Sequence, residues 1–208
     1  MLSLSLNRGE LCEKLLRAGQ KEALNIVPPA TGGGYKPLLS LCEDEEAAKK
    51  IWESLANTEK EQFAKLAYRF NSSEARKAVA ETLQGQWKKT FGQSIALENM
   101  EWKSYLAARA SGDFSLTRTG WIADINDPSD FLNLFKSDNP NNYTGWKNND
   151  YDRLLEARRF EEAEALLLSE LPVIPLYFNP NVYLLSERVK GWEANPMDYH
   201  DWRRVEVR

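Results

Sequence analysis

Few residues of this sequence are of types that could carry out chemistry, and the familiar catalytic spacings do not occur among them. His200 is the single histidine of the 208 residues, and neither a GxSxG nor an HExxH motif is present. A Ser-His-Asp triad would have to use His200 without the nucleophile elbow that often accompanies such a site. Most hydrolase chemistries are therefore disfavoured, and His200 is interpreted as a structural or exposed residue.

Cysteine and glycine patterns give no cofactor or metal site either. Cys12 and Cys42 are too few for a disulfide scaffold or a structural zinc site, and their spacing allows either one bridge or two buried thiols. Three glycines at residues 32–34 lie in a loop over residues 27–37. No Lys-Ser/Thr pair and no immediate helix follow them, so a turn is predicted rather than a phosphate cradle.

Composition and charge narrow the class of protein. Apolar residues make up 42% of the chain and charged residues 28%, which is ordinary for a globular fold. The net charge of −4 argues against a nucleic-acid binder that works by neutralising phosphates. No apolar run is long enough to span a membrane, and the first residues lack the basic and apolar regions of a signal peptide.

Capping residues and apolar periodicity predict alternating helices and strands. Helices are expected over residues 8–18 (capped by Asn7, ended by Gly19), 44–55, 71–92 (capped by Asn71 with Glu74 at N3), 101–110 and 128–135, and over 150–171 as one helix or two. Strands are expected over residues 63–70, 95–97 and 114–122, and in two pieces over 173–185. This alternation predicts an α/β fold with a mixed sheet flanked by helices.

Several of these segments together carry a family resemblance. They are residues 69–92 (RFNSSEARKAVAETLQGQWKKTFG), 101–118 (EWKSYLAARASGDFSLTR), 120–133 (GWIADINDPSDFLN), 141–155 (NNYTGWKNNDYDRLL) and 172–179 (PVIPLYFN). In this order they resemble the oligopeptide- and dipeptide-binding proteins of ABC importers, the bacterial extracellular solute-binding proteins of family 5. The resemblance covers essentially the whole chain.

The resemblance implies a lobe of the type II periplasmic-binding-protein fold and a role without catalysis. Family members are over twice this length and have two lobes, so this chain is expected to be a C-terminal portion. Residues 1–180 would form most of the second lobe, and residues 181–208 would return to the first lobe. The implied partners are short peptides, the missing first lobe and the membrane permease that receives the peptide. The implied location is periplasmic or extracytoplasmic.

The family's ligand for a peptide ammonium falls on Asp124, and its aromatic site wall falls on Trp121. A buried aspartate can hold an ammonium through charge-assisted hydrogen bonds. The alternative for Asp124 is a residue that caps a loop, and for Trp121 it is a core residue. Asp127 and Asp130 are interpreted as turn and N-cap groups.

For the peptide carboxylate, the family places cations at positions that match Arg118, Arg109 and Arg76. Gly120 and Asn179 match stretches that line the site, and main-chain groups near residues 118–121 would pair with an extended ligand. In a regular strand Arg118 and Asp124 would stand about 20 Å apart, whereas a tripeptide spans about 10 Å. The chain is therefore expected to bend between them. The alternative for the three arginines is a solvated surface.

Two further interpretations stay open at this point. The chain could be a truncated remnant that binds nothing, because a ligand held between two lobes loses about half its contacts when one is absent. Seven tryptophans with clustered acidic residues also fit a carbohydrate-active hydrolase, which would need two carboxylates within about 10 Å across one cleft.

Overall fold

The structure is a computed structural model and describes residues 1–29, 31–195 and 197–208. Seven α-helices lie in these ranges: α1 (Glu45–Ser54), α2 (Asn57–Phe63), α3 (Glu74–Phe91), α4 (Trp102–Ser111), α5 (Pro128–Leu132), α6 (Asn149–Glu156) and α7 (Phe160–Glu170). Seven short strands accompany them: β1 (Lys21–Glu22), β2 (Ala67–Asn71), β3 (Ala96–Met100), β4 (Leu116–Thr117), β5 (Tyr177–Phe178), β6 (Val189–Lys190) and β7 (Glu206–Val207). A π-helical segment (Glu10–Leu16) and three single 3₁₀ turns (Thr31–Gly33, Asn133–Phe135, Trp202–Arg204) complete the elements.

The predicted α/β class is confirmed, with the strands divided among three separate sheets. The largest sheet has the order β3-β2-β4 with all strands parallel. Strand β1 pairs antiparallel with β5, and β6 pairs antiparallel with β7. Because α3 and α4 connect the three parallel strands, the carboxyl ends of those strands meet at one edge of the sheet.

Two hydrophobic clusters form the core. The first packs around the parallel sheet and contains the aromatic group Trp52, Phe63 and Phe91, whose ring centroids are 4.9 to 5.5 Å apart. The second gathers α5, α6 and α7 around Leu132 and Tyr151. The Tyr151 hydroxyl donates a 2.6 Å hydrogen bond to the Leu132 carbonyl. The segment between β4 and α5 therefore connects the two clusters, since Leu116 packs on the first and Leu132 lies in the second.

Several expected elements are confirmed by the structure. Asp44 caps α1, Glu101 caps α4, and α3 ends at Gly92 in a left-handed conformation. The buried positions Val79, Leu83 and Trp87 lie on α3 as their spacing predicts. The region 150–171 forms the two helices α6 and α7 rather than one.

Other boundaries are wrong in ways that packing explains. The segment from Phe63 to Leu66 was expected in a strand, but Phe63 ends α2 because its ring enters the aromatic group of the first cluster. Asn71 belongs to β2 and does not cap α3, which Ser73 precedes, so Glu74 is its first residue.

Shorter elements than expected account for the remaining differences. The first helix ends at Arg17, which adopts the left-handed conformation expected at Gly19. The expected strand 114–122 keeps only β4, and the expected pieces in 173–185 keep only β5. Cys12 is buried, Cys42 is exposed, and both are free thiols. No helix in the described ranges is long and apolar enough to cross a membrane.

Candidate functional site

The site expected from the sequence begins where the chain leaves β4. The Arg118 amide still donates a 3.3 Å hydrogen bond to the Arg69 carbonyl of β2. Beyond it the chain leaves the ladder and forms an irregular loop, residues 120–127, which leads into α5. The strand thus ends three residues before Gly120, so residues 118–124 do not continue as a regular strand.

Asp130 ties the two expected ligand-binding residues of this loop together. One carboxylate oxygen of Asp130 accepts two hydrogen bonds. The Trp121 indole Nε1 donates one at 2.7 Å, and the Asp124 backbone amide donates the other at 3.2 Å. Asp130 is not the N-cap of α5, because Asp127 holds that position and the Asp130 carboxylate is directed back to the loop. The alternative that Trp121 is a core residue is not supported, since its side chain is 40% exposed.

Asp127 fixes the end of the loop, and its predicted capping role is confirmed. Its side chain accepts from the Ser129 amide at 2.9 Å and from the Ser129 hydroxyl at 2.5 Å at the start of α5. It also forms a 2.9 Å ion pair with Arg158. These hydrogen bonds from Ser129, and then the Arg158 charge, hold the pKa of Asp127 below its ordinary value.

The glycine-rich turn also contacts this loop. The Gly32 amide donates a 2.9 Å hydrogen bond to the Asn126 side chain. Gly32 has a φ of +58°, and a Cβ there would lie 3.3 Å from Pro128. A side chain at this position would be strained by the positive φ and crowded by Pro128, so glycine suits the turn that contacts the loop. No local pattern predicts this contact, because 94 residues separate the two partners.

Tyr105 connects the two arginines expected at the carboxylate end. This tyrosine of α4 is buried, and its hydroxyl donates to the Arg118 carbonyl. The Arg109 guanidinium lies 5.7 Å from the Tyr105 ring centroid and 4.6 Å from that of Tyr143. Arg109 is thus held by two aromatic rings, in a cation–π arrangement that leaves its charge unneutralised. Its buried Nε atom has no hydrogen-bond acceptor in the described ranges.

Arg118 extends along the chain toward the loop and over the sheet. One of its terminal nitrogens lies 3.8 Å from the position that a Cβ on Gly120 would occupy. Burial raises the pKa of the Tyr68 hydroxyl on β2, and the positive charge of Arg118 partly opposes that rise. Arg118 therefore stands between the central strand and the loop.

The charges of Asp124, Arg118 and Arg109 are not paired internally. Among residues 1–29, 31–195 and 197–208, none of the three lies within 4.0 Å of an oppositely charged group. Arg69 of the adjacent strand differs, since it pairs with Glu98 and, at 3.1 Å, with Asp113. Asp124 is exposed and the two arginines are half-buried, so an incoming charged group can reach them.

The remaining expected site residues are placed separately. Arg76 is half-buried on the first turn of α3, and Asn179 is exposed just after β5. No hydrogen bond or ion pair between described residues links either of them to the 120–127 loop. Asn71, at the carboxyl end of the central strand, is buried with its side-chain oxygen unpartnered in the described ranges. Asn71 was expected to cap α3, and its position as a buried polar group at the end of β2 has no local sequence signal.

Comparisons with known proteins identify the family. Residues 2–143 match the family of bacterial extracellular solute-binding proteins, family 5, middle region. The chain belongs to this family. It is 30% identical to the oligopeptide-binding protein OppA of Bacillus subtilis, over 91% of this chain and 38% of OppA. It is 32% identical to the probable deoxycholate-binding periplasmic protein YgiS of Escherichia coli, over 95% of this chain and 40% of YgiS.

Solved structures agree with the family and with the fold. The unliganded open form of the periplasmic murein tripeptide-binding protein MppA superposes with a TM-score of 0.85 at 30% identity, over 99% of this chain and 43% of MppA. The α/β fold is thus that of a lobe of a type II periplasmic binding protein, as expected. The chain spans about two fifths of the length of the relatives that it matches.

Proposed function

We propose that this chain binds short peptides through their charged termini and their backbone. The observation that carries the proposal is the unpaired charge at the two ends of one stretch of chain: Arg118 where β4 ends and Asp124 in the following loop. A zwitterionic peptide presents the complementary charges, an ammonium at one end and a carboxylate at the other. Asp124 is the proposed ammonium ligand, with Trp121 as the adjoining wall.

The electrostatics favour such a ligand. An ammonium about 4 Å from Asp124 gains about 4 kcal/mol of Coulomb energy at an effective dielectric of 20, before the cost of desolvation. Arg118 and Arg109 provide planar guanidinium groups that bind carboxylates with two parallel hydrogen bonds. Arg76 is proposed as a third cation at this end, and Asn179 as a polar group lining the far side of the site.

The sheet edge supports recognition of the peptide backbone. Strand β4 is an edge strand of the order β3-β2-β4, so its outer side has no partner strand among the described residues. An extended peptide placed beside Arg118, Gly120 and Trp121 can hydrogen-bond with this main chain in the manner of strand addition. Backbone recognition does not depend on side chains, and it therefore fits a binder of varied peptides.

The wider role proposed is that of an extracytoplasmic solute-binding component of an ABC peptide importer, without enzymatic activity. Relatives named as periplasmic oligopeptide-binding proteins support this role. In it, residues 1–180 form most of the second peptide-binding lobe, and residues 181–208 return to the first lobe. Closure of the two lobes would bury the peptide, which is then delivered to a membrane permease.

Calorimetric titration of the chain with a tripeptide and a tetrapeptide tests the proposal. Saturable binding that Nα-acetylation abolishes is the expected result, because acetylation removes the ammonium that Asp124 would hold. Asp124→Asn should weaken the binding at least about tenfold, as expected for loss of a charge-assisted contact. Asp138→Asn, which changes an exposed aspartate outside the loop, is the matched control.

Two results would contradict the proposal. Equal binding of the acetylated and free peptides would show that the ammonium is not recognised. Tight binding of deoxycholate with no binding of peptides would assign the site to an apolar anion, as the name of the relative YgiS describes for that protein.

A further inference from the structure

The carboxylate of Asp130 has an unusual position for a residue in the first turn of a helix. It does not cap α5, because Asp127 already does so. One of its oxygens instead accepts two hydrogen bonds from the 120–127 loop: the Trp121 indole at 2.7 Å and the Asp124 amide at 3.2 Å. A single acceptor thus joins the side chain of one expected ligand-binding residue to the backbone of another.

We propose that Asp130 is a positioning residue, which fixes Trp121 and Asp124 in one arrangement before a ligand arrives. This inference rests on the proposed function, since it concerns the same loop. Asp130 bonds the amide of Asp124 and leaves the Asp124 carboxylate without an internal ion pair in the described ranges. The carboxylate of Asp124 is therefore free for the ligand, while its backbone is held.

Packing alone does not hold this part of the loop. The Trp121 side chain is 40% exposed, and Ile122 and Ile125 are exposed as well. The helix that contains Asp130 is better packed than the loop, because α5 buries Pro128 and Leu132 and is capped by Asp127. Hydrogen bonds to a carboxylate are about twice as strong as neutral ones. The hydrogen bonds of Asp130 consequently restrain an exposed loop against the packed helix α5. This restraint lowers the entropy that the loop loses when a ligand binds.

Three variants separate positioning from a general structural effect. Asp130→Ala removes the acceptor, Asp130→Asn keeps an amide oxygen that can accept both bonds, and Trp121→Phe removes only the indole donor. The tripeptide affinity should fall about tenfold in Asp130→Ala and less than about threefold in Asp130→Asn. The double variant Asp130→Ala/Trp121→Phe should lose less than the product of the two single losses, because both substitutions break one linkage.

A second readout does not require any ligand. Hydrogen exchange of the Trp121 indole and the Asp124 amide, followed by NMR, should accelerate severalfold in Asp130→Ala and stay close to wild type in Asp130→Asn. The melting temperature of each variant shows whether the chain is folded during the measurement. If Asp130→Ala fails to fold, the exchange rate of the Asp124 amide in Asp130→Asn is compared with that in Trp121→Phe. This comparison then decides whether Asp130 positions the loop.

The outcomes distinguish this inference from the proposed function. If wild type binds no tripeptide, the proposed function fails, and the exchange rates alone decide whether Asp130 holds the loop. Unchanged exchange in a folded Asp130→Ala overturns the inference. Wild-type affinity in Asp130→Ala, or multiplicative losses in the double variant, overturns it as well, even when peptides bind.

Discussion

Residues 1–180 bury many of their large apolar side chains, whereas residues 181–208 leave most of theirs exposed. Every buried apolar residue of the described ranges lies in the first part, where two clusters enclose leucine and aromatic side chains. The last 28 residues expose a run of large apolar side chains: Val182, Tyr183, Leu184, Leu185, Tyr199, Trp202 and Val207. Burial of apolar surface stabilises the first part, whereas the second part must be held by local contacts.

Those local contacts centre on Trp192. Its ring stacks on His200 with centroids 3.6 Å apart and lies 5.6 Å from Trp202. His200 also contacts the Glu193 carbonyl at 3.1 Å and Asp198 at 2.9 Å, and its side chain is only 7% exposed. The expected structural role of His200 is therefore confirmed. The exposed apolar run supports our proposal that residues 181–208 contact a further lobe.

The two parts should differ most in stability when one leucine of each is truncated to alanine. Leu83 of α3 is 1% exposed and Leu184 is fully exposed. Leu83→Ala should lower the free energy of unfolding by about 2 to 5 kcal/mol, because it leaves a cavity in the first cluster. Leu184→Ala should leave urea unfolding unchanged within error. Equal losses in the two variants would show that Leu184 is buried in solution.

A second contrast concerns the charged groups. The Arg8 side chain is completely buried and donates to the Ser3 hydroxyl at 2.8 Å, the Pro175 carbonyl at 2.9 Å and Glu43 at 3.1 Å. Arg8→Met should cost about 2 to 3 kcal/mol of unfolding free energy, since these acceptors lose their donor.

The matched control for Arg8 lies in the C-terminal part. Arg203 pairs with Asp201 at 2.8 Å, but its side chain is exposed. Arg203→Met should have no measurable effect on urea unfolding, because water replaces the lost contact. A stability loss in Arg203→Met comparable to that in Arg8→Met would contradict the division into a packed and a locally held part.

Stability should also depend on pH through one buried carboxylate of the first part. Glu164 accepts from the Ile26 and Val27 amides, both at 2.8 Å, and burial raises its pKa above the ordinary value of 4.5. Its protonated form is thus favoured by folding. That contribution is complete below about pH 4.5 and is lost as the pH rises through the raised pKa.

Glu164→Gln keeps an oxygen for the two amides but removes the ionisation. Its unfolding free energy should therefore fall less between pH 4.5 and pH 7 than that of wild type. Urea unfolding at several pH values measures this difference. Parallel pH profiles for the two proteins would mean that Glu164 has the same pKa in the folded and unfolded states.

The smallest effect on global stability is expected from a substitution in the aromatic group around Trp192. Trp192→Ala should accelerate amide exchange in β6 and β7, because the ring that organises their surroundings is lost. The melting temperature should move by less than about 2 °C, since the two core clusters are untouched. A large drop in melting temperature would show that the two parts unfold as one unit.

Local sequence signals were sufficient for much of the fold. The helix starts at Asp44 and Glu101, the cap at Asp127 and the four-residue spacing from Val79 to Trp87 each depend on residues close in sequence. Phe63 shows where such reasoning fails, because its helix is selected by contacts with Trp52 and Phe91 that the local pattern does not contain.

The candidate site shows the same limit at longer range. Family resemblance supplied Asp124, Trp121 and Arg118, and their ligand-binding roles stay predictions. The acceptor role of Asp130 and the support from Gly32 depend on how α5 and the glycine-rich turn are placed in space. Neither contact has a periodicity or a motif, so a sequence can show the residues without showing that they meet.

The two free thiols allow folded and unfolded molecules to be distinguished by chemical labelling. Cys42 is exposed, whereas Cys12 is buried and burial raises the pKa of its thiol. A maleimide should therefore add one label to each folded chain and two to each unfolded chain. Mass spectrometry of a labelled sample then reads out the fraction of molecules that have opened, without an added dye or an engineered cysteine.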